Sequence, residues 1–160
     1  MGLAGSEQKC RWLCDELGFD AAINYREVAD VSAAIASTCP DGVDIYFDNV
    51  GGAILDAALL HINDRARIVF CGAISGYNST VPVPGPYNLW QILAHSARLE
   101  GFLIRDYFPR FGEGAAQMRE WLLEGQIQFR EQLVDGLDNC LPAFASLFDG
   151  SNTGKVVVRL

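Results

Sequence analysis

Residues 43–52, VDIYFDNVGG, decide the fold of this chain, because a largely apolar segment runs directly into a turn with two glycines. Residues 43–47 predict a strand that is covered on both faces. Ligands of open α/β sheets bind where such strands end, and glycines let a ligand approach the backbone closely. Asn49 offers both a donor and an acceptor there. The turn is therefore a candidate binding site, the alternative being a tight connection without a ligand.

Strands and helices alternate on both sides of this turn. Such alternation indicates an α/β fold, here a Rossmann-type doubly wound parallel sheet. Residues 2–6 have the pattern of a buried strand that ends and runs into a helix, with no strand and no glycine-rich phosphate turn before them. We therefore expect the sheet to be incomplete. The other predicted strands are 21–25, 67–71, 99–104, 127–131 and 155–160, and the helices are 7–17, 31–37, 53–60, 89–96, 113–124 and 142–148.

Composition narrows the class of protein. Half of the 160 residues are hydrophobic, enough for one globular domain with a core, and the net charge is -8. An acidic chain without a run of Lys or Arg argues against binding to nucleic acid or anionic membranes. No apolar run reaches the roughly 18 residues of a membrane span, and no secretory leader is visible. These features predict a cytoplasmic protein.

The cysteines do not predict a disulfide framework or a metal site. They number five, an odd count without paired motifs. Cys10 and Cys14 share one face of a predicted helix, but no other metal-binding residue type stands nearby. We expect them to be small buried residues, and we expect no zinc site.

Lys9 lies at an unusual place in its predicted helix. With Ser6 as the N-cap, Lys9 falls in the first turn, where a cation opposes the helix dipole. An anion that docks at this helix end explains the choice. An acidic residue that would grip the ribose of NAD is missing from the small residues 4–6, which favours NADP. The alternative is a solvated surface lysine.

A second loop of small residues, CGAISGY at residues 71–77, follows the next buried strand. Such residues provide a flat floor for a nicotinamide ring. Tyr77 is placed to position a ribose, an amide or a substrate oxygen, unless it packs as an aromatic lid on the proline-rich loop 79–86. His61 and His95 have no evident partner and are not predicted to be catalytic.

Several of these segments together resemble one family. They are Lys9, residues 17–25 (LGFDAAINY), 46–52, 71–77, 100–102 and 152–155. The family is the zinc-independent medium-chain dehydrogenases/reductases of the prostaglandin reductase (leukotriene B4 12-hydroxydehydrogenase) type, and the similarity covers the whole chain. It implies reduction of the carbon–carbon double bond of α,β-unsaturated ketones and aldehydes with NADPH. Hydride goes to the β-carbon, and the enolate is stabilised by hydrogen-bond donors and protonated at the α-carbon.

The resemblance also implies roles for individual residues. Lys9 would meet the 2′-phosphate, Tyr25 the adenosine side, and Asn49 with the 71–77 loop the nicotinamide half. Tyr77 is the candidate for touching substrate, and no dedicated acid or base is implied. The implied cofactor-binding residues are Lys9, Tyr25, Asn49, Cys71, Gly72, Ala73, Ile74, Ser75, Tyr77, Phe102, Leu103, Ile104 and Asn152.

The family pattern divides the chain into two parts. Residues 1–124 would form a partial NADP-binding Rossmann domain, and residues 125–160 would pack on a catalytic domain that precedes this region in the family. We expect such a fragment to be inactive alone and to bury its strand edges by self-association, as a strand-exchanged dimer. The alternatives are a non-catalytic nucleotide-binding or interaction module, or a quinone reductase.

Overall fold

The computed structural model describes residues 1–160 as seven strands and six α-helices. The strands are β1 Gly2–Ala4, β2 Ala22–Asn24, β3 Val43–Asp48, β4 Ile62–Phe70, β5 Arg98–Gly101, β6 Glu131–Asp135 and β7 Lys155–Arg159. The helices are α1 Glu7–Asp15, α2 Val31–Thr38, α3 Gly52–Leu59, α4 Trp90–Ala94, α5 Phe111–Leu123 and α6 Cys140–Asp149. Short 3-10 turns cover Ile74–Gly76, Ile104–Arg110 and Leu137–Asn139.

Every strand pair is parallel. The strands form three separate sheets, β1-β2, β3-β4-β5 and β6-β7. Helices connect consecutive parallel strands, as parallel pairing requires. The predicted α/β class with parallel strands is confirmed.

The chain divides into two compact units. The middle unit contains Met1 and Glu27–Arg110, and the terminal unit contains Gly2–Arg26 and Phe111–Leu160. The terminal unit holds β1, β2, β6 and β7, and the middle unit holds the three-stranded sheet.

The core of the middle unit lies on one face of the three-stranded sheet. Its buried members come from α3 and from β4, because the apolar face of α3 packs onto the sheet. They are Leu55, Leu59, Ile62, Ala66 and Ile68, with Tyr46, Phe70, Ile92 and Ala97 packed around them.

The opposite face of this sheet is open, so the expectation that residues 43–47 are covered on both faces was wrong. Ile45 is 60% exposed and Phe47 is 55% exposed, while Tyr46 and Asp48 point to the core side. Because side chains alternate along a strand, Ile45 and Phe47 point to one face of the sheet and Tyr46 and Asp48 to the other. Helix α3 covers only the face of Tyr46 and Asp48.

Three other predicted elements differ from the structure. β5 ends at Gly101 rather than at residue 104, because a 3-10 turn begins at Ile104. The strand expected at 127–131 is displaced to Glu131–Asp135, where Leu133 and Val134 pair with β7. The pattern of the predicted helix 113–124 places Trp121 and Leu122 inward, but each of them is 40% exposed.

Candidate functional site

The carboxyl ends of β3, β4 and β5 lie side by side in the middle unit. Asp48 is the register partner of Phe70, and Phe70 is that of Gly101. The residues that follow these three strands therefore meet at one edge of the sheet. This places the predicted nicotinamide residues, Asn49, residues 71–77 and residues 102–104, along that edge.

Hydrogen bonds join the loop after β3 to the loop after β4. The backbone N–H of Cys71 donates to the carbonyl oxygen of Asp48 at 2.8 Å, and that of Ile74 donates to Asn49 at 3.2 Å. The Ser75 hydroxyl donates to the carbonyl oxygen of Val50 at 2.6 Å. The two loops therefore form one connected surface, on which the Asn49 side chain is exposed.

A buried carboxylate that the sequence analysis did not single out holds the first loop. Asp48 is 1% exposed, and its Oδ1 accepts from the N–H groups of Val50 at 2.8 Å and Gly51 at 3.0 Å. It also accepts from the Tyr46 hydroxyl at 3.2 Å. The signal in the sequence is an acidic residue between an apolar strand and two glycines, where the backbone N–H groups of the turn are available as donors.

Tyr46 remains a neutral hydrogen-bond donor in this arrangement. Burial raises the pKa of its hydroxyl well above the ordinary value, and the charge of Asp48 and the hydrogen bond to it raise this pKa further. The Tyr46 hydroxyl therefore donates to the Asp48 carboxylate and helps to hold it in place.

Tyr77 folds back onto its own loop. Its hydroxyl oxygen accepts from the backbone N–H of Ala73 at 3.3 Å, while the residue is 65% exposed. A Cβ added at Gly72 would lie 3.1 Å from the Asn49 carbonyl oxygen and 3.3 Å from the Tyr77 hydroxyl oxygen. The absence of a side chain at Gly72 thus leaves room for both oxygen atoms beside its backbone. The substrate role of Tyr77 stays a prediction.

Aromatic and aliphatic side chains follow β5 at the same edge. The ring of Phe102 meets Phe47 edge-on at 6.3 Å between centroids and Tyr107 at 5.1 Å. Leu103 and Ile104 are about half exposed. This end of the edge is therefore apolar.

Two cations converge on the carboxyl end of α6 in the terminal unit. Lys9 Nζ donates to the carbonyl oxygen of Gly150 at 2.7 Å, and Arg26 Nη2 donates to that of Asp149 at 3.2 Å. Lys9 lies in the first turn of α1. Ser6 is the N-cap of this helix, as predicted, and its Oγ accepts a hydrogen bond from the backbone N–H of Lys9. No pattern in the sequence predicts Arg26 at this place, because nothing in its neighbours indicates its partner.

The remaining predicted residues of the terminal unit lie near these cations. A Cβ added at Gly5 would lie 3.0 Å from Tyr25 Oη and 3.2 Å from Arg26 Nε. The Arg26 guanidinium carbon lies 6.0 Å from the centre of the Tyr25 ring. Asn152 follows α6 by a few residues and donates to the Gly154 carbonyl oxygen at 3.3 Å. Lys9, Tyr25 and the turn that contains Asn152 are therefore brought together.

These residues fit the phosphorylated adenosine end of a nicotinamide cofactor. Two cations and a tyrosine hydroxyl are the donors that a phosphate prefers. Two of these side chains, Tyr25 and Arg26, lie against Gly5, which has no side chain. At the end of β2, the buried Nδ2 of Asn24 has no hydrogen-bond partner. The donor set favours an anionic ligand over a neutral one.

His61 and His95, for which the sequence indicates no partner, both have polar partners within the middle unit. His61 Nε2 lies 2.8 Å from Ser32 Oγ, and His95 Nδ1 lies 2.9 Å from Asp64 Oδ1. The structure contains no group of three or more His, Cys, Asp or Glu side chains that could hold a metal ion. None of its helices has the length and apolar character needed to cross a membrane.

Comparison with known proteins identifies relatives along the whole chain. Residues 1–121 match the family model described as zinc-binding dehydrogenase. The chain is 41% identical over 165 residues to an NADPH-dependent curcumin reductase of Escherichia coli, and 40% identical over 160 residues to a 2-alkenal reductase (NADP(+)-dependent) of Nicotiana tabacum. All of the chain aligns in both cases, with 48% and 46% of the relatives' lengths.

A solved structure agrees with these relatives. The crystal structure of CurA from Vibrio vulnificus in complex with NADPH is 44% identical, with a TM-score of 0.90. The match covers 99% of this chain and 48% of that one. The chain thus spans about half the length of the relatives that it matches.

Proposed function

The chain belongs to the zinc-binding dehydrogenase family, and from this premise we propose that it is the cofactor-binding part of an NADP-dependent reductase. The whole protein would reduce the carbon–carbon double bond of α,β-unsaturated ketones and aldehydes. The observation that carries the proposal is the cation Lys9 beside a strand end without any acidic residue, which suits NADP rather than NAD. The identity to a curcumin reductase and a 2-alkenal reductase supports the substrate class.

Each unit contains residues suited to a part of the cofactor. In the terminal unit, Lys9, Tyr25 and Asn152 suit the phosphorylated adenosine. In the middle unit, Asn49, the 71–77 loop and Phe102 with the two residues after it suit the nicotinamide half. The bound NADPH supplies a hydride. We further propose that residues 1–124 form the cofactor domain and residues 125–160 a segment that packs on the rest of the whole protein.

The residues of the middle unit would act on the substrate by orientation and hydrogen bonding. Because the Tyr77 oxygen already accepts from the Ala73 N–H, its own proton remains available for a carbonyl oxygen of the substrate. A donor there stabilises the negative charge that develops on this oxygen when the double bond is reduced. Phe102, Leu103 and Ile104 would exclude water from the β-carbon.

A cofactor and substrate panel tests this proposal. We expect the whole protein to oxidise NADPH with an enone and an alkenal, and to prefer NADPH over NADH by about 10–100-fold in kcat/KM, since charge-assisted hydrogen bonds to a phosphate are strong. Lys9→Gln should remove most of this preference through the KM for NADPH. Arg11→Gln, on the same helix but paired with Glu7, should leave it unchanged.

Two outcomes of the panel count against the proposal. Equal use of NADPH and NADH by the unchanged protein would contradict the assignment of Lys9. Turnover of quinones with no turnover of enones would contradict the substrate class.

We also propose that the chain is cytoplasmic and forms a homodimer. All five cysteines are free thiols, the state that a reducing compartment maintains. β3 is the terminal strand of its sheet, and Ile45 and Phe47 are exposed on its open face. An uncovered apolar strand edge is a template for pairing with another chain.

Analytical ultracentrifugation at micromolar concentration, which measures the mass of the species in solution, tests for the dimer. We expect a dimer for the unchanged chain, and about tenfold weaker association for Phe47→Glu, because the charge would be desolvated in the contact. Leu93→Glu alters an exposed apolar residue of α4 and should leave the association unchanged. A monomer throughout would overturn the proposal.

A further inference from the structure

Arg26 lies beside Lys9 at the end of α6, although no pattern in the sequence marks it. The residue is exposed, directly follows Tyr25, and begins a turn in which its own backbone N–H donates to Asn24 Oδ1 at 3.2 Å. Its guanidinium reaches the end of α6, where Lys9 Nζ also ends. The two cations thus bind the carbonyl oxygens of two successive residues, Asp149 and Gly150, at one helix end.

The charges of these two cations are not neutralised by ion pairs. Lys9 and Arg26 donate to carbonyl oxygens, which are neutral, whereas Arg11, Arg130 and Arg159 each pair with a carboxylate. A carbonyl contact fixes the position of a cation and leaves its remaining donors and its charge for another partner.

The Asp149 carboxylate, next to the carbonyl groups that hold the two cations, is engaged by its own turn. Asp149 Oδ1 accepts from the Ser151 N–H at 2.7 Å. Hydrogen bonds from Ser151 lower the pKa of Asp149, and the charges of Arg26 and Lys9 lower it further. Asp149 therefore stays ionised near the cations without forming a direct ion pair, so that an incoming anion has to compete only with a solvated charge.

Two glycines make room for the guanidinium. A Cβ added at Gly150 would lie 3.1 Å from Arg26 Nη2, and Gly150 has a φ of 76°, which suits glycine at a helix end. A Cβ added at Gly5 would lie 3.2 Å from Arg26 Nε. Neither glycine carries a side chain that would come between the guanidinium and a ligand at the end of β1.

We propose that Arg26 is a second cationic ligand of the cofactor 2′-phosphate, acting beside Lys9, and that the end of α6 positions both side chains. The proposal rests on the proposed NADP function and deepens it. The planar guanidinium has two parallel N–H groups for phosphate oxygens, which a lysine does not have. Recognition of the 2′-phosphate would then depend on two side chains rather than one.

The test measures binding to the full chain of two adenosine fragments that differ by the 2′-phosphate. Calorimetry or competition would give the dissociation constants of 2′,5′-ADP and of 5′-AMP, and their ratio reports recognition of that phosphate. We expect Arg26→Gln to lower the ratio about 5–10-fold, the range of one charge-assisted hydrogen bond at an exposed site. Arg26→Lys should recover only part of it, and Arg11→Gln should retain the full ratio.

The variants separate failure of this inference from failure of the proposed function. If Lys9→Gln lowers the ratio and Arg26→Gln does not, Arg26 is no phosphate ligand and the NADP assignment still stands. If the unchanged chain does not distinguish the two fragments, the NADP assignment itself is overturned. A loss of affinity for both fragments in Arg26→Gln, together with a lower Tm, would assign Arg26 a purely structural role and overturn the inference.

Discussion

Asp48→Ala is expected to lower the free energy of unfolding by about 3–5 kcal/mol, because two backbone N–H groups and the Tyr46 hydroxyl lose their acceptor. Each unsatisfied buried group costs about 1–3 kcal/mol, and a domain of this kind is stable by only about 5–15 kcal/mol. Urea unfolding followed by circular dichroism measures the change. The variant should lie close to the limit of folding.

Two controls make the Asp48 result specific. Asp48→Asn keeps one acceptor oxygen and should lose less stability than Asp48→Ala. Asp44→Ala removes an exposed carboxylate from the same strand, where it contacts only Asn63, and should change stability by less than about 1 kcal/mol. A stability loss below 1 kcal/mol for Asp48→Ala itself, on the order of a surface change, would show that the carboxylate does not hold the turn.

Gly51→Ala is expected to cost about 2–4 kcal/mol, because its backbone has φ 67° and ψ -157°, a region open essentially only to glycine. The added Cβ would also lie 3.2 Å from the Cβ of Ala73 and 3.3 Å from its Cα, so that the loop after β4 would have to move. Thermal or urea unfolding measures the cost.

The matched control for Gly51 is Gly85→Ala. Gly85 has no atom within 4 Å of an added Cβ and no positive φ, so this change should be neutral or slightly stabilising. Equal effects of the two substitutions would mean that the conformation at Gly51 carries no strain for an alanine.

The sequence predicted the edge of the middle unit well, for a physical reason. Parallel strands all point their carboxyl ends the same way, so residues that follow apolar segments must meet once the strands are identified. The sequence alone therefore places Asn49 and the 71–77 loop at the same edge of the sheet. The role of Asp48 could not, because a carboxylate after a strand reads equally as an exposed turn residue until its burial is known.

Sequence patterns did not predict the contacts between residues that are far apart along the chain. Arg26 bonds to a carbonyl 123 positions later, and no local periodicity encodes such a partner. Likewise, the apolar residues Ile45 and Phe47 indicate that a strand face is suited to burial. They do not indicate whether any element of the chain covers that face, which is exposed in the structure. The displaced strand β6 was missed because its place is set by pairing with β7.

The contact of Lys9 and Arg26 with the end of α6 restricts how this helix can change in evolution. Deletion of one residue from a helix turns its end by about 100° and withdraws it by about 1.5 Å, which would carry the Asp149 and Gly150 carbonyl groups away from both side chains. Under this constraint, the exposed side chains of α6 can be substituted. The number of residues in α6 cannot change, because that number sets the direction and the position of the carbonyl groups at its end.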